Sequence, residues 1–335
     1  MIRQFLYAAL LTAGIGGSAA SAEPIKLKLS LVTSDRALIY LGGVKPFVDA
    51  VNAEAKGLLE IEIFFSGALE KQPTLQPQLV ADGGADLAFI FPGYTPERFY
   101  DNTVIELPGL FQDTREASLV YTRMIASGAI KGYDDYIVVA ALSSPAESIH
   151  GRRPIDSIAS LDGMTVRTNN ATEAMAVGKL GMRPVPMPMN LVAEALSDGK
   201  IDSATAPLPM LFEFGVGRVS SYHYMLEISG APLALVMNRK KFDSLPREAQ
   251  DIIRKYSGEW PVGPYLQSYE ESGRQVIDQL QSNPRRKVVQ PSPADRAAAE
   301  IVFKSVIDEW AAKAPANRQQ LETARAEIAR LRAGR

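Results

Sequence analysis

The chain has 335 residues, with 36 basic and 38 acidic side chains and a formal net charge of −2 at pH 7. This near-balance gives the surface as a whole no attraction for nucleic acid or anionic lipid. The sequence has no cysteine, which excludes disulfides, thiolate metal sites and thiol nucleophiles.

The first 22 residues predict export. Arg3 gives a positive start, an apolar stretch runs from Phe5 to Ile15, and Ala20-Ser21-Ala22 has the small-residue pattern of a cleavage site. The apolar stretch is shorter than the roughly 20 residues that a transmembrane helix needs. We therefore expect a signal peptide cleaved after Ala22 and a periplasmic mature protein. A retained membrane anchor is the alternative interpretation.

The next hundred residues predict alternating strands and helices. Residues 25–32 and 59–65 alternate apolar and polar side chains, as strands do, and residues 86–91 are an almost wholly apolar strand. Residues 38–54 place apolar side chains at helical spacing, and a shorter helix is expected over residues 74–81. This order predicts a mostly parallel sheet with helices on both faces.

A second α/β unit begins after the Ser143-Ser144-Pro145 break. Before the break we expect a helix over 117–126 and a strand over 136–142. After it we expect strands over 148–151, 165–167, 201–205, 222–228 and 233–237, and helices over 171–180 and 191–196. The remainder predicts a helix over 247–280 interrupted at residues 260–264, a strand at 286–289, and a helical tail broken at Pro315.

The chain offers little material for catalysis or metal binding. His150 and His223 are its two histidines, and they lie far apart in sequence. A histidine zinc site or a Ser/His/Asp triad would need one of them. The sequence has no nucleophile elbow, P-loop or dinucleotide fingerprint. We interpret both histidines as structural or surface residues and expect neither a metal nor a cofactor.

Five stretches, taken in order, resemble the DctP-type substrate-binding subunit of TRAP (tripartite ATP-independent periplasmic) transporters. They are residues 57–69, 79–88, 93–111, 153–167 and 180–202, and they include Glu106-Leu107-Pro108-Gly109, Leu161-Asp162-Gly163-Met164-Thr165-Val166-Arg167 and Asp198-Gly199-Lys200-Ile201-Asp202. No single stretch is specific, but their joint order covers nearly the whole mature chain.

This resemblance implies an α/β, two-lobed periplasmic-binding-protein-like fold of the type II-like, TRAP receptor variant. We expect a first lobe at 23–143 with 231–246 returning to it, and a second lobe at 144–230. A long helix spanning both lobes and C-terminal helices packing on both are expected over 247–335. The implied partners are a small organic acid and the small and large membrane subunits of a TRAP transporter, and the protein is expected to act as a monomer.

Arg167 is the residue that the resemblance singles out. It matches the family's arginine at the end of a second-lobe strand. A guanidinium offers two parallel N–H donors that fit the two oxygens of a carboxylate, whereas lysine offers charge without the fork. We therefore predict a two-pronged contact from Arg167 to the acid group of the ligand. A surface arginine at a strand end is the alternative.

Two departures from the family pattern bear on the ligand. The family's second polar group is an asparagine that is missing from residues 203–207, where Thr205 or the local backbone is the available substitute. A second family arginine is missing from the stretch that holds Glu147. Glu147 can donate if it is protonated, or accept from a hydroxyl or amine; a solvated or salt-bridged acid is the alternative. One arginine fits a monocarboxylate better than a dicarboxylate or a sugar acid, because a second buried carboxylate needs a counter-charge.

The remaining candidate site residues are apolar walls and polar loop positions. The candidate walls, which favour an aromatic or branched acid, are Phe91, Tyr94, Met189, Phe212 and Phe214. The loop positions that could donate or accept hydrogen bonds are Gln72, Ser34 and Asn169. Ordinary core packing and ordinary solvation are the alternatives for these two groups.

Two other functions use the same residues. A periplasmic hydrolase or isomerase could use Glu147 or Asp202 as a base, but it would also need a second group for acid catalysis or oxyanion stabilisation. A ligand sensor for a signalling protein would use the same closing receptor. Turnover of the bound acid would indicate the enzyme, and neighbouring genes for membrane subunits would indicate transport.

Overall fold

The computed structural model describes residues 23–334, so the predicted signal peptide lies outside the described residues. The strands are β1 Ile25–Ser30, β2 Leu59–Phe64, β3 Leu87–Ile90, β4 Tyr136–Ser143, β5 Glu147–Gly151, β6 Thr165–Thr168, β7 Arg183–Pro186, β8 Ser203–Pro207, β9 Tyr222–Tyr224, β10 Pro232–Asn238 and β11 Lys287–Val289. The helices are α1 Lys45–Glu54, α2 Gln76–Ala81, α3 Pro96–Phe99, α4 Thr114–Ala126, α5 Ala171–Lys179, α6 Val192–Ser197, α7 Val216–Val219, α8 Arg239–Asp243, α9 Arg247–Lys255, α10 Val262–Gln281, α11 Pro293–Ala312 and α12 Pro315–Arg332.

The first lobe is built on a five-stranded sheet of order β2-β1-β3-β10-β4. Strands β1, β2 and β3 are parallel, as the alternating strand and helix pattern predicts. Strand β10 then runs antiparallel to both of its neighbours, so the sheet is mixed. The chain returns to this lobe from the second one, and it enters the sheet in the opposite direction.

The second lobe is built on a six-stranded mixed sheet of order β11-β9-β5-β8-β6-β7. Strands β8, β6 and β7 are parallel, whereas β5 is antiparallel to β8 and β9. The short strand predicted near residue 286 joins this sheet as β11. Each lobe has its own apolar core around its sheet, as expected where one sheet cannot bury all the apolar side chains of a chain this long.

Two adjacent extended segments, residues 144–147 and 228–231, carry the chain between the lobes. Ser144 donates its backbone N–H to Ala231 O at 2.8 Å, and Glu147 donates its own to Ser229 O at 2.9 Å. Gly230 is required at this crossing, because a Cβ there would lie 2.4 Å from the carbonyl oxygen of Ser144. The paired segments form a hinge of two strands instead of a loose tether.

Helix α10 spans both lobes. Its first turns bury Tyr265 and Tyr269 in the first-lobe core, and its later turns bury Val276 and Leu280 in a second-lobe core. The predicted interruption is a complete break: α9 ends at Lys255, and α10 starts after Pro261. Pro264 falls in the first turn of α10, where a missing N–H leaves no helical hydrogen bond unmade. Helix α10 therefore spans the lobes without α9.

The C-terminal helices also join the two lobes. Helix α11 buries Phe303 against the second-lobe core and Trp310 against the first-lobe core. The predicted break at Pro315 is confirmed, since α11 ends at Ala312 and α12 begins at Pro315. Within residues 23–334, the structure has no helix that combines the length and hydrophobicity of a membrane span.

Candidate ligand-binding cleft

A cavity of about 90 Å³ lies between the lobes, beside the hinge. Residues of the first lobe and hinge that line it include Thr33, Ile39, Phe91, Gly93, Tyr94, Glu106, Ser144 and Leu233. Residues of the second lobe and α10 include Glu147, Arg167, Asn169, Met189, Pro207, Met210, Phe214 and Tyr269. An engineered apolar cavity of about 150 Å³ holds benzene, so this smaller space indicates a small ligand.

Arg167 lies at the end of β6 with its guanidinium at the cavity, and it is fully buried. Its Nε donates to Met187 O at 2.8 Å, and Nη1 donates to Thr205 O at 2.9 Å. Nη2 donates to Asn169 Oδ1 at 3.0 Å. These contacts fix the plane of the guanidinium. Among the described residues that line the cavity, Arg167 is the only cation.

Glu147, the first residue of β5, is the counter-ion of Arg167. Its Oε2 lies 3.2 Å from Arg167 Nη1, and its side chain is 3% exposed. Burial raises the pKa of the Glu147 carboxyl, and the neighbouring guanidinium opposes that rise. The salt bridge that was one interpretation of Glu147 from the sequence is present in the structure. Glu147 still lines the cavity, so its carboxyl is available to a ligand as well.

The two-pronged contact predicted for Arg167 requires a rearrangement of its neighbours. A guanidinium has five N–H donors, and four of them already meet protein acceptors. The fifth is the second hydrogen of Nη2. A ligand carboxylate can take this donor directly, and it gains a second one when Glu147 or Asn169 moves aside.

Thr205 and Glu173 lie behind Arg167, away from the cavity. Thr205 Oγ1 is 3.0 Å from Arg167 O and 3.0 Å from Glu173 Oε2, and Glu173 also accepts from Asn169 N at 2.7 Å. Burial raises the pKa of Glu173 well above its usual range, with the carboxylate of Glu147 adding to the rise. A protonated Glu173 fits this geometry, because Thr205 can then donate to Arg167 O and accept from Glu173.

Glu106 is the polar residue of the first-lobe wall. It is 3% exposed, and burial raises the pKa of its carboxyl to about 8, with Glu147 as a second cause. At neutral pH it is therefore mainly an uncharged acid that can donate a hydrogen bond. Gly93 makes room for it, because a Cβ at that position would lie 2.8 Å from Glu106 Oε1.

Aromatic and thioether side chains form the remaining walls. The rings of Phe91 and Tyr94 stack with their centroids 5.5 Å apart. Across the cavity, Met189, Met210 and Phe214 contribute apolar surface from the second lobe. Such a lining favours an apolar ligand body next to the single cation.

Four of the predicted site residues do not line the cavity. Thr205 supports Arg167 from behind. Phe212 packs instead against the Arg286 guanidinium, 5.3 Å from its ring centroid. Gln72 and Ser34 are exposed on first-lobe loops, where Ser34 Oγ accepts from Arg36 N at 3.3 Å. Thr33, the residue before Ser34, reaches the cavity in its place.

The residues of the cavity and its surroundings that sequence reasoning missed include Glu106, Glu173, Ile39, Met210 and Tyr269. Glu106 lies inside one of the five stretches that carry the family resemblance, so its place in that motif could have identified it. Nothing in the sequence marks Tyr269 or Met210 as site residues. Their helical and loop patterns are those of ordinary core residues, and only the approach of the two lobes brings them to the cleft.

The two lobes also contact one another across the mouth of the cleft. Thr172 Oγ1 of the second lobe donates to Glu106 O of the first at 3.0 Å. Leu38 N of the first lobe donates to Glu213 Oε2 of the second at 3.0 Å. These contacts, together with the full burial of Arg167, indicate a closed arrangement of the lobes.

The other acid considered as a catalytic base lies elsewhere. Asp202 accepts from Thr165 N at 2.9 Å and Thr165 Oγ1 at 2.8 Å, and it is not among the cavity-lining residues. His150 and His223 contact each other through their Nδ1 atoms at 3.0 Å in the second-lobe sheet. Within residues 23–334, no cluster of three or more His, Cys, Asp or Glu side chains is placed to hold a metal ion.

The comparisons with known proteins agree with this architecture. The model of the DctP family, described as bacterial extracellular solute-binding protein, family 7, matches residues 29–314. The 2,3-diketo-L-gulonate-binding periplasmic protein of Escherichia coli (strain K12) is 23% identical over 260 residues, which are 75% of this chain and 77% of that protein.

Two solved structures of TRAP solute-binding proteins share the fold. One is a marine metagenome protein specific for aromatic acid ligands, in complex with 3-hydroxybenzoate. It is 24% identical, with a TM-score of 0.85 over 92% of this chain and 99% of that one. The other is from Rhodoferax ferrireducens T118, in complex with copurified benzoate. It is 24% identical, with a TM-score of 0.84 over 91% of this chain and 98% of that one. The two-lobed fold is thus confirmed, and the chain belongs to the DctP family of bacterial extracellular solute-binding proteins.

Proposed function

We propose that this receptor binds a small monocarboxylate with an aromatic or branched body and delivers it to TRAP membrane subunits. The observation that carries the proposal is the cavity itself: a single buried cation lies at one side, and most of the other walls are apolar or aromatic. A second ligand carboxylate would have no counter-charge there, and a sugar acid would leave most of its hydroxyls without partners.

The relatives support this ligand class without establishing it. The marine metagenome protein is specific for aromatic acids, and the Rhodoferax protein holds benzoate. A further TRAP structure, from Bordetella bronchiseptica, holds mandelate. The Escherichia coli relative is named for a diketo sugar acid, which is a more polar ligand than the present cavity suits.

Closure of the lobes gives the mechanism of delivery. The ligand would contact Arg167 of the second lobe and Tyr94 of the first lobe at the same time only when the lobes are shut. It therefore binds the closed state better and shifts the population toward that state. Membrane subunits can then distinguish a loaded receptor from an empty one by the surface that closure creates.

A thermal-shift screen tests the proposal, because a ligand that binds only the native state raises the melting temperature. Benzoate, 3-hydroxybenzoate, mandelate and isovalerate should give shifts of several degrees at saturating concentration, whereas succinate and glucuronate should give little. Arg167→Lys should reduce the shifts, because lysine keeps the charge and lacks the fork. Arg325→Ala, at an exposed position of α12, is the matched control and should respond as the wild type does.

A larger shift with succinate or glucuronate than with any monocarboxylate would contradict the proposed ligand class. Equal shifts in wild type and Arg167→Lys would remove Arg167 from the binding contact. Release of a modified acid from the mixture would favour the enzyme alternative.

A further inference from the structure

The charges around the cavity do not balance once an anionic ligand is bound. Arg167 is the only cation among the described lining residues, and Glu147 already lies 3.2 Å from it. A ligand carboxylate that binds Arg167 becomes the second carboxylate beside one guanidinium. In a site this deeply buried, two adjacent carboxylates and one cation are costly unless one carboxyl holds a proton.

The geometry of Arg167 places the two acids side by side. Nε and one hydrogen of Nη1 are held by the backbone carbonyls of Met187 and Thr205, which are fixed parts of the second lobe. The donors left for a ligand are the Nη1 hydrogen that Glu147 holds and the two hydrogens of Nη2. A ligand bound to these donors must therefore lie next to Glu147.

The other ionisable groups near Glu147 are poorly placed to take up the proton. Glu106 of the first lobe and Glu173 of α5 are both buried, and burial raises the pKa of both carboxyls, that of Glu106 to about 8. Tyr94 of the first lobe is a neutral phenol whose pKa burial raises further. Glu147 is the ion-pair partner of Arg167, at 3.2 Å, so its charge is the one that a ligand carboxylate at Arg167 can replace.

We infer that Glu147 takes up a proton when the ligand carboxylate engages Arg167, so that the receptor binds an organic anion together with one proton. This inference rests on the proposed function. Protonated Glu147 donates a hydrogen bond to the ligand carboxylate, and the ligand takes over the guanidinium as its counter-ion. The site thereby discriminates against dianions, since one proton compensates for one carboxylate only.

Calorimetric titration with benzoate and with 3-hydroxybenzoate measures the proton directly. At pH 6.5, the binding heat in buffers of different ionisation enthalpy should correspond to the uptake of up to about one proton per ligand. The Kd should rise with pH, by up to about tenfold per unit where uptake is complete. Work at pH 6.5 keeps Glu106 protonated before and after binding, because its pKa is about 8.

Three variants assign the proton to its residue. Glu147→Gln keeps the size and the hydrogen-bonding capacity of the side chain and removes the titration, so proton uptake should vanish and binding at pH 7.5 should tighten. Glu106→Gln should retain the uptake. Glu194→Gln, at an exposed position of α6, makes the same chemical change outside the cavity and should behave as the wild type does.

Binding of either acid by the wild type with no proton uptake overturns the inference and leaves the proposed function intact. Undiminished uptake by Glu147→Gln also overturns it. If neither acid binds and the thermal-shift screen finds no monocarboxylate ligand, the proposed function fails, and the inference fails with it. The titration of the wild type tests proton uptake even if the Glu147→Gln variant does not fold.

Discussion

The two walls of the cleft differ in kind. The second lobe contributes the ionic part, with Arg167 and Glu147 paired at 3.2 Å and Glu173 buried behind them. The first lobe contributes shape, with the stacked Phe91 and Tyr94, and one neutral acid at Glu106. The difference teaches that the only ion pair at the cavity among the described residues belongs to one lobe, whereas both lobes supply apolar surface, with the stacked aromatic pair in the first. A ligand must therefore bridge the cleft to use both the ion pair and the aromatic pair.

The largest expected effect comes from the ionic wall. Arg167→Ala leaves Glu147 buried without a partner and should lower the free energy of unfolding by about 3–5 kcal/mol, besides abolishing benzoate binding. The double variant Arg167→Met with Glu147→Leu should recover most of the stability and none of the binding, because apolar residues can replace a buried ion pair. Urea denaturation and calorimetry measure the two effects. Binding by the double variant would contradict this division between the lobes.

The pH dependence of stability should have opposite signs for the buried histidines of the second lobe and for Glu106 of the first lobe. In the second lobe, burial lowers the pKa of His223 to about 3 and that of His150 to about 4. Both values lie below the pKa of an unfolded histidine. Unfolded histidines, with a pKa of about 6.5, bind more protons than folded ones as the pH falls. The contribution of His223 is thus present above pH 6.5 and should fall by about 2 kcal/mol between pH 7 and pH 5.

Glu106 of the first lobe should act in the opposite direction. Its folded pKa of about 8 exceeds the usual value of 4.5, so its contribution is fully present below pH 4.5 and is lost as the pH rises toward 8. Between pH 6.5 and 8.5 the loss should be about 2 kcal/mol. Urea denaturation of wild type, His223→Gln and Glu106→Gln over these ranges separates the two terms. Parallel curves for wild type and either variant would remove that residue from the account.

The aromatic wall should have a moderate and ligand-dependent effect. Tyr94→Leu keeps an apolar surface and removes the ring that stacks on Phe91, so the affinity for benzoate should fall about three- to tenfold. The affinity for isovalerate should change little, because that ligand has no ring. Calorimetry with both acids measures the ratio. Tyr100→Leu, at an exposed first-lobe position, is the control. Equal losses for both ligands would indicate a general packing defect.

The smallest expected effects are those of alanine substitutions at two glycines, Gly93 and Gly178. Gly93→Ala places a Cβ 2.8 Å from Glu106 Oε1, so the carboxyl must shift and benzoate affinity should fall severalfold. Gly178→Ala in α5 meets no atom within 4 Å and should raise the free energy of unfolding by about 0.5–1 kcal/mol with unchanged binding. Unchanged affinity in Gly93→Ala would indicate that the position of Glu106 does not matter to the ligand.

Much of the architecture is predictable from the sequence because it depends on local patterns. Alternating apolar residues predict β1 and β2, and the apolar face of residues 38–54 predicts the helical segment that begins at Ile39 and continues as α1. The break at Pro315 follows from proline chemistry. Arg167 followed from the resemblance and the chemistry of the guanidinium. All of these depend on neighbours in the chain or on a motif.

The rest depended on contacts between distant segments. Phe212 is the stronger candidate by sequence, yet of the two neighbouring phenylalanines Phe214 is the one that lines the cavity, because residues 211–215 turn into α7. The sequence cannot indicate that β5 and β6 bring Glu147 to Arg167, or that the lobes enclose Glu106 and raise the pKa of its carboxyl. Periodicity determined most of the strands and helices, and the family resemblance singled out the candidate cation. The tertiary structure alone decided which carboxyls surround that cation, because burial and charge pairing arise only where segments far apart in the chain meet.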